Sequence, residues 1–309
     1  MANYKLIIIG GGPAGLSAGV YGGRAKLNPL IFTGVKGKGE LALALNIDDF
    51  PGFPQGISGL ELLELMRQQA VKYGCELKEQ EIIKVDFSKQ PFKVISQDGQ
   101  EYLSESVIVA TGGRPRVLGL EKEQELIGKG ISFCAVCDGC LFQNKKVAVV
   151  GGGDVALEDA LYLTKYAEKV YLIHRREEFR AAPSLQEEIK NNSKIEIIFE
   201  SEVVKLLGDS YLEGIIIKNN RSGKEQEIQI AGLFLAIGFE PVTDLFQDYL
   251  EKGEGGYLKV RENVKTSREG IFAAGEVCDN KYRQAITSAA FGAMAALEAD
   301  RWLREQGHK

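Results

Sequence analysis

Two stretches of the chain repeat one layout, and that repeat limits the fold more than any other feature. "KLIIIGGGPAGLSAGVYGGRA" reads as a buried strand, a glycine turn and a helix, and "KKVAVVGGGDVALEDALYLTKYA" reads the same way. Gly10, Gly12 and Gly15 give G-x-G-x-x-G in the first, and Gly151, Gly153 and Ala156 hold the same three places in the second. The first position permits a tight turn, the second lets a pyrophosphate approach the backbone, and the third lets helix and strand pack closely. A glycine turn can also serve packing alone. Two of them, each in strand–turn–helix context, point instead to two nucleotide sites.

A second element repeats. "VIVATGGRP" (107–115) and "LFLAIGFEP" (233–241) are apolar strands ending in A-x-G-x-x-P, and each follows one glycine turn. The proline breaks the strand and suits a crossover between domains. The expected fold class is therefore α/β, with two Rossmann-like nucleotide-binding domains, one inserted into the other. The outer, discontinuous domain is expected over residues 1–114 and 243–309, and the inserted one over residues 115–242.

The two sites differ in charge. The strand after the second turn ends "VYLIHRREEFRA", which puts Arg175, Arg176 and Arg180 where the adenosine ribose of a dinucleotide lies. Guanidinium groups there suit the 2′-phosphate of NADP, although the mixed signs also fit a solvated stretch. The matching strand of the first half ends "LIFTGV", with neither acid nor arginine, and leaves its nucleotide unspecified.

Composition excludes several classes of function. A net charge of -5 argues against a nucleic-acid partner, since phosphate binding needs a basic face. No apolar run approaches the roughly 20 residues that span a bilayer. The N-terminal apolar stretch carries the first glycine turn, so it reads as a binding site and not a leader, and the expected location is cytoplasmic. In that compartment a close cysteine pair is usually catalytic or metal-binding.

Three of the five cysteines fall in "FCAVCDGC", residues 133–140. Cys134 and Cys137 stand at i and i+3, so one short turn can carry both sulfurs within bonding distance. One thiolate then attacks and the other resolves, with Asp138 adjoining as a proton carrier. An iron–sulfur run would continue to a fourth cysteine at position 144, which is Asn144. Zinc would need another ligand, and the chain has two histidines, His174 and His308. No metal is expected, and Cys140, Cys75 and Cys278 read as spectators.

In order and spacing, "GGGPAG", "DFPGFP", "MRQQAVKYG", "ATGGRP", "CAVCDG", "GGGDVALEDA", "HRREEFRA" and "GIFAAGEVCDNKYRQAITSAA" resemble the low-molecular-weight thioredoxin reductases, dimeric FAD enzymes of the pyridine nucleotide-disulfide oxidoreductase family. The resemblance runs through nearly the whole chain. It implies that the outer domain binds FAD and the inserted one NADPH. FAD would be held by Gly10, Gly12, Pro13, Ala14, Gly15, Thr111, Gly112, Gly275, Glu276, Arg283, Gln284 and Ala285, with Glu40, Leu41 and Asp49 beside it. A helix beginning near Arg283 would turn its positive end to the flavin. NADPH would be held by Gly151, Gly153, Asp154, Val155, Ala156, His174, Arg175, Arg176, Arg180, Ile237 and Gly238. Electrons would pass from NADPH through FAD to a Cys134–Cys137 disulfide and on to oxidised thioredoxin. Cys137 would face the flavin, Cys134 would attack thioredoxin, and Asp138 would be the acid–base partner.

The sulfurs and the NADPH turn share the inserted domain, yet both must reach one flavin. That predicts rotation of the inserted domain about crossovers near Gly113–Pro115 and Phe239–Pro241. Departures from the family cluster near the flavin. Glu40 replaces a glutamine, Ala44 and Leu45 replace threonines, Asp49 an asparagine and Glu276 an aspartate. Val155 stands for a hydroxyl-bearing residue, and Lys129 for an arginine. These changes leave a second reading open, a reductase of the same fold that takes electrons from reduced ferredoxin, flavodoxin or NADH, or that reduces another small redoxin.

Overall fold

The computed structural model describes residues 3–35 and 39–307. The chain divides into two units, Met1–Arg114 with Glu240–Lys309, and Pro115–Phe239. The return to the outer unit thus falls at Glu240, three residues before the expected boundary. Pro241 ends a short strand, Phe239–Pro241, that pairs with the outgoing crossover.

The outer unit begins with β1 (Asn3–Ile9), α1 (Pro13–Arg24), β2 (Leu30–Phe32), α2 (Gly59–Lys72), β3 (Glu76–Lys78), β4 (Ile82–Asp86), β5 (Phe92–Ser96) and β6 (Glu101–Val109), and leaves through β7 (Gly113–Pro115). The inserted unit runs α3 (Glu123–Leu126), β8 (Ile131–Ser132), α4 (Ala135–Asp138), β9 (Lys146–Gly151), α5 (Asp154–Leu163), β10 (Lys169–Ile173), α6 (Pro183–Asn191), β11 (Ile195–Ile198), β12 (Ser201–Leu207), β13 (Gly214–Asn219), β14 (Glu225–Gln229) and β15 (Gly232–Ala236). The chain returns through β16 (Phe239–Pro241) to β17 (Ile271–Ala273) and α7 (Ala285–Glu305).

The repeat in the sequence is a repeat in space. In the outer unit the strands run β3-β2-β1-β6, all parallel, with β17 parallel on the far side of β6 and the antiparallel β5 and β4 on its other end. In the inserted unit they run β11-β10-β9-β15-β8, all parallel, beside an antiparallel β12-β13-β14 sheet. Each A-x-G strand lies directly beside its glycine strand, with Ile9 opposite Val109 and Gly151 opposite Ala236. Parallel strands are covered on both faces, so they need unbroken apolar runs. Leu6, Ile7, Ile8, Val107, Ile108, Val147, Ala148 and Val149 are all fully buried. Each large side chain so buried contributes roughly 1.5–3 kcal/mol.

Helix ends show why the sequence breaks where it does. Pro13 opens α1, where its missing N–H costs nothing, and Ser58 caps α2 by accepting the Glu61 N–H at 3.3 Å. The loop entering the inserted unit wraps around one carboxylate. Glu123, 2% exposed, accepts the backbone N–H groups of Leu118 (2.7 Å), Gly119 (2.6 Å) and Leu120 (3.0 Å). The crossovers form an antiparallel pair. Arg116 N–H donates to the Gly238 carbonyl and Val242 N–H to that of Gly112, each at 3.0 Å. No helix among the described residues is long and apolar enough to cross a membrane.

Candidate active site

Every residue assigned to the first nucleotide lies in the outer unit, and every residue assigned to the second lies in the inserted one. In the outer unit, the turn between β1 and α1 is shaped by contacts that only glycine permits. A Cβ on Gly10 would stand 2.0 Å from the Ala110 carbonyl oxygen, and one on Gly15 would stand 1.9 Å from that of Gly10. Gly12, by contrast, has nothing within 4 Å on its Cβ side, and no side chain caps α1 there. The N–H groups of Ala14 and Gly15, just past Pro13, are therefore left without a side-chain cap on the open side of Gly12, an arrangement that suits a pyrophosphate.

The other outer-unit residues close around this turn. Gly275, with φ +78, places its Cβ direction 2.8 Å from that of Ala14. Gly292 of α7 brings its backbone so close to α1 that a Cβ would meet the Ala14 carbonyl oxygen at 1.9 Å. Thr111 donates its hydroxyl to the Val242 carbonyl at 2.7 Å, and Gly112 faces Glu276.

Helix α7 starts at Ala285, just after Arg283 and its N-cap Gln284, close to the expected position. Arg283 sits at φ +48, outside helical space. Asp279 takes the N–H groups of Lys281, Tyr282 and Arg283 at 2.9, 2.9 and 3.0 Å, which holds the preceding loop in place. Gln284 and Thr287 then cap the helix reciprocally.

Glu40 and Glu276, far apart in sequence, share a hydrogen bond. Two carboxyl groups can do this only if one carries a proton. Burial pushes Glu276 up to about 8, assisted by the Glu40 charge and opposed by Arg283. Burial raises Glu40 as well. The Oε2 of Glu40 is buried without a hydrogen-bond partner. Leu41 follows on the same short turn, while Asp49 is exposed in the loop beyond. An uncapped helix N-terminus, the open side of Gly12 and an orphaned acceptor nearby fit a dinucleotide such as FAD.

The inserted unit repeats the turn with different surroundings. Gly151 abuts the Ala236 carbonyl oxygen and Ala156, and Gly153 is open on its Cβ side with no side-chain cap on α5. Asp154 accepts the Ala182 N–H at 2.7 Å, tying the helix start to the arginine segment. Arg180 donates its backbone N–H to the Gly152 carbonyl at 2.8 Å. Arg175, Arg176 and Arg180 are exposed beside the turn, and no carboxylate pairs with their side chains among the described residues. Val155 is also exposed there, and Ile237 and Gly238 follow the end of β15.

His174, which the resemblance assigns to NADPH, is packed against the glycine turn. Its ring is 6% exposed, lies against Gly152 and contacts the Glu178 carbonyl through Nε2 at 3.1 Å. Burial and the neighbouring arginines hold it below the usual histidine range. It thus shapes the loop as a neutral ring. His308 lies outside the described residues.

Cys134 and Cys137 form a disulfide with 5.3 Å between Cα atoms. Cys134 is the N-cap of α4, and its sulfur accepts the Cys137 N–H at 3.1 Å. Asp138 closes the turn, with its backbone N–H on the Cys134 carbonyl at 3.1 Å. The sequence reading missed Ser132. This buried hydroxyl donates to Asp138 Oδ2 at 2.6 Å and accepts the Cys134 N–H at 3.0 Å. Burial pushes the thiols of Cys75 and Cys278 up to about 12, which keeps them protonated and unreactive. Cys140 is exposed.

The model of the pyridine nucleotide-disulphide oxidoreductase family matches residues 4–292. The chain belongs to that family. Within it, the chain is 43% identical over 98% of its length to the thioredoxin reductase of Chlamydia pneumoniae, covering 100% of that protein. It is 42% identical over 98% of its length to the bifunctional thioredoxin reductase/thioredoxin of Mycobacterium leprae (strain TN), of which it spans 66%. The solved thioredoxin reductase from Giardia duodenalis superposes with a TM-score of 0.93 at 39% identity, covering 98% of this chain and all of that one. Paired Rossmann-type units are the fold these oxidoreductases share with the present chain.

Proposed function

We propose that the protein is a flavoprotein disulfide reductase that passes electrons from NADPH through FAD and the Cys134–Cys137 disulfide to oxidised thioredoxin. The observation that carries this reading is the disulfide, set beside Asp138 in the unit that also carries the arginine-flanked glycine turn. FAD, when bound, accepts a hydride from NADPH and supplies two electrons to a disulfide.

The residues divide the remaining work. The outer unit holds FAD at Gly10–Gly15, Thr111, Gly112, Gly275, Glu276 and Gln284–Ala285, with Glu40 and Leu41 beside it. The inserted unit holds NADPH at Gly151–Ala156, with Arg175, Arg176 and Arg180 on the 2′-phosphate. Their lack of carboxylate partners supports that role, since a bidentate arginine–phosphate pair needs a free fork.

In the reduced protein, the Cys134 thiolate attacks the partner disulfide and expels one partner thiolate. Cys137 then attacks Cys134 in the mixed disulfide, expels the second and restores the Cys134–Cys137 bond. Asp138 holds the proton exchanged with the sulfurs. The inserted unit rotates about its two crossovers to present the dithiol and NADPH in turn. A crosslink between the units is expected to permit one half-reaction and block the other.

The protein works in the cytoplasm as a homodimer. An exposed stripe on α7, Ile286, Ala290, Met294 and Leu297 at helical spacing, supports a second copy as its cover. The test is an anaerobic titration of the FAD-loaded protein with NADPH, with NADH in parallel, followed by turnover with thioredoxin. Rapid bleaching by NADPH alone supports the reading. A flavin that bleaches only with reduced ferredoxin overturns the donor, and reduction of another redoxin in preference to thioredoxin overturns the acceptor.

A further inference from the structure

The geometry points to Ser132 as the residue that positions Asp138 and sets how tightly it holds its proton. Ser132 ends β8, paired with Phe234 of β15, so its backbone is fixed by the central parallel sheet of the unit. Its side chain is turned inward and is 6% exposed. From there one hydroxyl makes two decisive contacts, donating to Asp138 Oδ2 at 2.6 Å and accepting the Cys134 N–H at 3.0 Å. The Cys134 carbonyl is a competing acceptor at 3.3 Å. The hydroxyl has one proton, and the shorter bond to a carboxylate is the stronger.

These bonds close a ring. Cys134 N–H reaches Ser132, Ser132 reaches the Asp138 carboxylate, and the Asp138 N–H returns to the Cys134 carbonyl at 3.1 Å. The ring ties the attacking sulfur's own backbone to its acid–base partner without touching either sulfur. Two consequences follow. Oδ2 is engaged by a donor, which fixes the orientation of the carboxylate beside the disulfide turn. The donor also favours the ionised carboxylate, so Asp138 releases its proton more readily than it would without Ser132. Removing the hydroxyl takes one donor from the carboxylate and one acceptor from the Cys134 N–H, and the proton is held more tightly.

Other titratable groups border this turn. Asp154, Glu158, Asp159 and Tyr162 lie on α5, which packs against α4; Tyr166 lies just beyond α5, and Cys140 on the turn after α4. They are common to every variant below, so differences between variants isolate the Ser132 bond.

The role rests on the reading of Asp138 as the proton partner of the dithiol, and the experiment separates the two. The FAD-loaded protein is reduced with dithiothreitol, freed of it, and alkylated with iodoacetamide from pH 5 to 10, with label on Cys134 and Cys137 read by mass spectrometry. The D138N variant identifies the step in the rate–pH profile that belongs to Asp138. In S132A that step is expected to move up by about one pH unit, a tenfold rate change on its slope, the scale of one hydrogen bond to a charged group. S132T keeps a hydroxyl and is expected to restore the original profile. A profile of S132A that overlies the parent while D138N differs overturns the Ser132 role and leaves Asp138 intact. A D138N profile that also overlies the parent overturns both. If S132A does not fold, failure of folded S132T to keep the parent profile overturns the role on its own.

Discussion

The carboxylate of Glu123 lends itself to a quantitative test, because it holds three backbone donors at the entrance to the inserted unit. Oε1 takes the Leu118 N–H, and Oε2 takes those of Gly119 and Leu120. A hydrogen bond to a charged group contributes roughly 1.5–3 kcal/mol, and a buried donor left without a partner costs about 1–3 kcal/mol. In E123Q the amide carbonyl can keep two of the bonds, now uncharged, while the NH2 group faces the Leu118 N–H. One lost donor and two weakened bonds amount to about 3 kcal/mol.

Hydrogen exchange reads this locally and needs no two-state assumption for a chain of two units. Since each 1.4 kcal/mol is a factor of ten, amides in the segment 116–126 are expected to lose about two orders of magnitude of protection. E123A should lose at least as much. Exchange in E123A within fivefold of the parent would refute the idea that this carboxylate organises the loop.

Other outcomes follow from the outer unit. Glu276 is raised in the folded flavin-free protein above its unfolded value, so the folded state binds the extra proton between the ordinary glutamate range and about 8. Its contribution to stability is complete below that window and is lost as pH rises through it, by up to about 1.4 kcal/mol per pH unit. Urea midpoints of the flavin-free protein should fall from pH 6 to 8, and E276Q should flatten the fall. G292A would force α7 from the first turn of α1, because its Cβ meets the Ala14 backbone oxygen at 1.9 Å. About 1–3 kcal/mol of stability and a share of bound flavin should be lost, read from thermal melting and flavin fluorescence on filtration.

The parts legible in the sequence are those whose chemistry is local. Gly10, Gly12 and Gly15 announce a turn because the spacing itself encodes the backbone path, and Cys134 and Cys137 announce a disulfide because three residues bring them together. The return crossover is legible because its short strand ends on Pro241. Its φ suits the edge of the two-stranded ribbon, where no N–H is required. The loop ahead of α7 is not legible, because Asp279 claims its N–H groups in a tertiary arrangement with no periodic signature. Ser132 and Glu123 carry no signal for the same reason, since a serine or glutamate is ordinary until its partners are known. The proton shared by Glu40 and Glu276 depends on two distant segments meeting, and only the folded chain brings them together.

The pairing of Arg116 with Gly238 also bears on how the chain folds. While Pro115–Phe239, about 125 residues, is unfolded, it is a loose loop between the two segments of the outer unit. Holding its ends together then costs roughly 4 kcal/mol of chain entropy. Once the inserted unit has folded with its ends hydrogen-bonded, that loop behaves as a tight hairpin and the cost vanishes. The order of events is therefore biased, with the contiguous unit folding first and the split unit condensing afterwards, and any substitution that melts the insert also loosens the unit around it.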